Sequence, residues 1–176
     1  MRTPYLLVVA SAAVVVVACK DGTSASPLPR TGKAALAATS NHHVVGSGHV
    51  AVGLTNDLRE FTFHAVESPD GSVGGSYKVE RTDTGIFFTV DVTCMTVVGD
   101  TGWVAGIISE TNSPAVRVGT VSYFWAVDNG EGGNASPDVV STARINDRLA
   151  SANEFCTERP RILPPNLVQF GNVQIR

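Results

Sequence analysis

The sequence predicts an all-β domain: an antiparallel meander of seven to eight strands, closed into a barrel, with one short helix near the C-terminus. Three observations carry this expectation. Apolar and polar residues alternate over runs of strand length, as in residues 58–68, where Phe61, Phe63 and Ala65 share one face while Thr62, His64 and Glu67 fall partly off it. Turn chemistry separates the runs, as in Pro69-Asp70-Gly71-Ser72. The 176 residues are 16% charged and include 17 glycines, a balance that suits turn-rich β proteins better than long exposed helices. Successive hairpins pair neighbouring strands and closure removes exposed edges, which favours a barrel over a sandwich.

The N-terminus has a different character. Arg2 supplies a positive end, and residues 6–18 form an apolar run broken only by Ser11, the pattern of a signal peptide over residues 1–18. As a helix the run would rise about 20 Å, short of the roughly 30 Å hydrocarbon core, so it does not read as a permanent transmembrane span. It ends in Val16-Val17-Ala18-Cys19, which resembles the bacterial lipobox, although Val17 is larger than the usual occupant of its place. The resemblance implies lipidation of Cys19, with a diacylglyceryl group and palmitate-type acyl chains. The mature chain would then be tethered to a membrane of the cell envelope and face outside the cytoplasm. The other reading is an ordinary secretory signal with a chance cysteine. Residues 19–41 are small, polar and proline-containing, a flexible tether. The folded domain is expected over residues 42–176.

Within it, residues 44–54 mix glycines with β-branched residues, and the second strand follows at 58–68. Residues 73–81 place Val73, Gly75, Tyr77 and Val79 in phase and complete a hairpin. Asp83-Thr84-Gly85 turns into residues 86–98, and Gly99-Asp100-Thr101-Gly102 turns into residues 103–110. Residues 116–127 form another strand, with Tyr123, Trp125 and Val127 on one side. A loop over 128–138 precedes a short strand at 139–145, a short helix within 146–155, and a last strand at 167–175 that closes the sheet. Pro160, Pro164 and Pro165 argue against regular structure between them.

Four segments together resemble a family of uncharacterised secreted bacterial β-domains: Gly46-Ser47-Gly48-His49-Val50, Asp70-Gly71-Ser72-Val73-Gly74-Gly75, Val127-Asp128-Asn129-Gly130-Glu131-Gly132 and Gly171-Asn172-Val173-Gln174-Ile175. The resemblance spans about residues 42–176. It implies export and β structure, and no activity.

Three cysteines are an odd number for an exported chain. Lipidation of Cys19 leaves Cys94 and Cys156, which an oxidising compartment would join as a disulfide; two buried free thiols are the alternative. The acidic loop offers Asp128, Asn129, Glu131 and Asp138 as oxygen ligands, a set that suits Ca²⁺. The same residues also suit a long solvated turn. Asp83-Thr84-Gly85 and Asp100-Thr101-Gly102 repeat the tripeptide of aspartic proteases, but their flanks lack the hydrophobic setting of that motif, and both read as turns. Gly46-Ser47-Gly48 and Gly130-Glu131-Gly132 match a loose dinucleotide pattern without the following helix that it needs. His42, His43 and His49 read as polar edge residues, because on an extended strand His43 and His49 stand roughly 20 Å apart. Tyr77, Trp103, Tyr123 and Trp125 suit either a barrel mouth that stacks on a flat ligand or, more simply, the core.

A formal charge of −3 gives no attraction for nucleic acid. The expected partners are the membrane, through the lipid, and a small-molecule, glycan or protein ligand. The expected state is a monomer. The sequence favours a non-catalytic binding or surface structural module, with no catalytic residue assigned; the alternative is a small extracytoplasmic hydrolase with a dispersed active site.

Overall fold

A computed structural model describes residues 41–53, 57–145 and 151–176. The predicted signal, Cys19 and nearly all of the tether lie outside them. Alternating stretches become long strands: β1 (His43–Val52), β2 (Asp57–Glu67), β3 (Val73–Arg81), β4 (Phe87–Val98) and β5 (Thr101–Thr111). They are followed by β6 (Val121–Val127), β7 (Val139–Ser141), β8 (Arg144–Ile145), α1 (Ala152–Glu158) and β9 (Pro165–Ile175). Each strand from β1 to β6 pairs antiparallel with the next, β6 pairs with β7, β7 with β9, and β9 with β1. The ring is a closed antiparallel barrel of eight strands, as the sequence predicts.

The departures from expectation are local. β6 begins at Val121 rather than at residue 116, because residues 112–120 hold a turn anchored by Gly119 N–H on the Ile108 carbonyl at 2.8 Å. The expected strand 139–145 breaks at Thr142-Ala143, leaving β8 paired with β6 alone. The helix lies later than expected, and residues 146–150 fall outside the described residues. It starts where the Ser151 hydroxyl accepts from Glu154 N–H at 3.2 Å, and stops at Arg159 in the left-handed region, immediately before Pro160. Pro165 opens β9 instead of interrupting it; the first residue of a strand is a place where a missing N–H is tolerated.

Two apolar cores share the barrel wall. Inside, Phe63 packs on Phe124 at 4.9 Å between centroids and Tyr77 meets the same ring edge-on at 4.9 Å, with Val44, Val90, Val104, Ile108 and Val173 filling around them. Eight strands enclose a space that side chains can fill, and among the described residues a space near Tyr77 of about 20 Å³ leaves room for about one water. Burial pushes the Tyr77 phenol well above its usual pKa, so it stays protonated. Outside, Trp103, Ala105, Tyr123 and Trp125 lie beneath α1 and Leu163, with Tyr123 and Phe155 at 4.7 Å. Cys94 and Cys156 are joined as the expected disulfide, which fixes α1 to β4.

Candidate functional site

The aromatics considered for a barrel mouth are core residues. Tyr77 is inside the barrel, and Trp103, Tyr123 and Trp125 are buried under the helical segment. Arg161 stacks over both tryptophans, at 5.7 Å and 5.5 Å, and donates to the Thr101 hydroxyl. The two Asp-Thr-Gly turns belong to successive hairpins, β3–β4 and β4–β5, and therefore stand at opposite ends of the barrel. Asp83 accepts from Arg81 at 2.9 Å and Asp100 from the Thr101 hydroxyl at 3.0 Å. His43 and His49 lie along β1 with their side chains on one face, and His49 meets Phe170 edge-on at 6.4 Å.

Three of the four segments that carry the family resemblance meet at β9. Gly48 in β1 pairs with Gly171 in β9. A Cβ on Gly171 would collide with the Ser47 carbonyl oxygen, and one on Gly48 with that of Phe170, so this close approach requires glycine on both strands. The acidic loop reaches the other side of β9. β7 covers Pro165, Asn166 and Leu167, and among the described residues the rest of that edge has no partner strand. Asp138 fills part of the gap: its backbone carbonyl accepts Val168 N–H at 2.9 Å and its carboxylate accepts Val173 N–H at 2.7 Å. The Asp128 carboxylate accepts Ile175 N–H at 3.1 Å. The second oxygen of each carboxylate holds the loop itself, Asp138 on Asn129 N–H at 2.9 Å and Asp128 on Gly130 N–H at 2.8 Å. The Asn129 side chain donates to the Pro137 carbonyl at 2.6 Å.

Glu131 faces the outer surface. One of its oxygens accepts from the Asn172 amide at 2.9 Å and from the Gln174 amide at 3.4 Å. The four residues expected as calcium ligands are thus held on one loop, with Asp128 and Asp138 turned to the backbone of β9 and Glu131 to its side chains. Among the described residues no group of three His, Cys, Asp or Glu side chains is placed to hold a metal ion.

The oriented amides belong to a shallow groove on the outer wall. Val45, Gly46, Ser47, Thr62, Phe63, His64, Asn172 and Gln174 line about 330 Å³. The register sets the polar groups in rows across the strands: Asn172, Ser47 and Thr62 in one, Gln174, Val45 and His64 in the next. Asn172 also borders a hollow of about 220 Å³ between β9 and the acidic loop. Phe170, on the same face of β9, is 70% exposed. Sequence reading did not assemble this surface. Its signal lies in the polar residues at the outward positions of the first, second and last strands, which alternation alone reads as an ordinary solvated face. Comparison with family models, curated proteins and solved structures gives no match to this chain.

Proposed function

We propose that this chain is a lipid-anchored, non-catalytic binding module of the cell envelope that meets its ligand on the outer wall formed by β9, β1 and β2. The observation that carries this reading is the groove of hydrogen-bonding side chains, two of whose amides are oriented by Glu131. The packed interior supports it from the other side, since among the described residues the space beside Tyr77 and Phe124 is about 20 Å³, room for about one water. Among the described residues lining the groove there is no Asp or Glu, so no carboxylate pair for acid–base work lies within it. The anchor rests on Cys19 at the end of the apolar leader.

Amide chemical shifts of the mature chain carrying Cys19→Ser, titrated with soluble oligosaccharides, peptides and a short fatty acid, test the reading. Perturbations gathered at residues 45–47, 62–64 and 170–174 are expected for one probe class. Perturbations confined to the barrel interior, around Tyr77 and Phe124, would overturn it. The same substitution should abolish partitioning into detergent, and continued partitioning would remove the anchor from the proposal.

A further inference from the structure

We infer that the groove takes a neutral polysaccharide strand lying across β2, β1 and β9, with Phe170 as its stacking platform and Glu131 as a positioning residue. This rests on the binding-module reading and names its ligand class. The first argument is charge. Ser47, Thr62, Asn172 and Gln174 each carry both donor and acceptor capacity, and among the described residues of the lining His64 is the only ionisable group. A phosphate, an acidic peptide or a polyanion would find no fixed cation there, whereas sugar hydroxyls donate and accept at once and match such a surface.

The second argument is geometry. Asn172, Ser47 and Thr62 are directly cross-paired, so their side chains repeat along a line perpendicular to the strands at about 4.8 Å per strand, a row suited to a repeating polymer rather than to a compact ligand. The hollow beyond Asn172 continues that line past β9.

The third is the aromatic. Phe170 stands two residues from Asn172 on the same outward face, its ring held edge-on by His49 and 70% exposed, which leaves area for the apolar face of a sugar ring. Glu131 would act through the amides: by accepting from both, it turns their carbonyl oxygens away from itself and fixes which atoms meet the ligand.

The test is titration calorimetry of the mature chain carrying Cys19→Ser with a soluble β-glucan, a galactomannan and a soluble starch, against anionic alginate. At least one neutral polymer should bind, with little dependence on salt, and alginate should not. In that background Phe170→Ala should weaken binding about tenfold. Glu131→Ala should weaken it severalfold while Glu131→Gln, which keeps an accepting oxygen, restores it; a purely structural role would instead show in the melting temperature. Absence of binding to all three neutral polymers, preference for alginate, or unchanged affinity in Phe170→Ala would overturn the inference. If a peptide or anionic probe shifts the wall amides while neutral polymers do not, the ligand class fails and the binding surface stands. Shifts confined to the interior sink both.

Discussion

The wall made by β5 and β6 and the wall made by β9, β1 and β2 belong to one barrel but are built differently. In β5 from Thr101 to Ile108 and in β6 from Ser122 to Ala126 every residue but Ile107 is buried, because the inward side chains fill the barrel and the outward ones lie beneath α1. In β2 the two faces part, with Phe61, Phe63 and Ala65 buried and Glu60, Thr62 and His64 exposed. The first wall is held by two cores and a disulfide. The second is held from within, and on its β9 side by a three-residue strand whose reach the carboxylates of Asp128 and Asp138 extend. Where a cover is present, packing fixes the wall. Where the surface stays open, hydrogen bonds from a loop replace it.

Substitutions should separate the two. The largest loss is expected from Phe155→Ala, which empties a fully buried site in the outer core and should cost about 3–5 kcal/mol in denaturant unfolding. Opening the Cys94–Cys156 disulfide, whose partners are 62 residues apart, should cost about 4 kcal/mol in the chain-entropy account. Alkylation without prior reduction should label neither cysteine. Asp138→Ala leaves the buried Val173 N–H without its acceptor and should cost about 1–3 kcal/mol. Millimolar Ca²⁺ probes the same oxygens: the hydrogen-bonded arrangement predicts an unchanged melting temperature, and a rise reversed by chelator would mean that the loop opens to ligate the ion. Thr62→Ala, on the open wall, should stay within about 0.5 kcal/mol of the parent.

The contrast between the walls was partly legible in the sequence. Strict alternation in residues 58–68 announces one buried face, and the turn tetrads placed the hairpins correctly. The near-continuous apolar runs Trp103-Val104-Ala105-Gly106-Ile107-Ile108 and Ser122-Tyr123-Phe124-Trp125-Ala126 are the pattern of strands buried on both faces, but what covers the outer face comes from a helix that begins 41 residues after the end of β5 and 25 after the end of β6, and no local pattern names it. The disulfide was reached by cysteine arithmetic alone. The acidic loop was legible as an oxygen cluster and illegible in its use, because its acceptors serve N–H groups 35 and 47 residues away, at Val173 and Ile175. An unpaired strand edge appears only once β7 is known to be three residues long.

Native-state hydrogen exchange of the β9 amides tests most directly whether carboxylates hold the open wall in the barrel. In the parent protein Val173 and Ile175 should exchange as slowly as Val104 at the centre of β5, although among the described residues no strand pairs with them on that side. In Asp138→Ala, Val173 should accelerate well beyond the change at Val104, which reports the loss of global stability in the same sample. In Asp128→Ala, the same should hold for Ile175. Fast exchange at Val173 in the parent, or equal acceleration of Val173 and Val104 in the variant, would contradict this account.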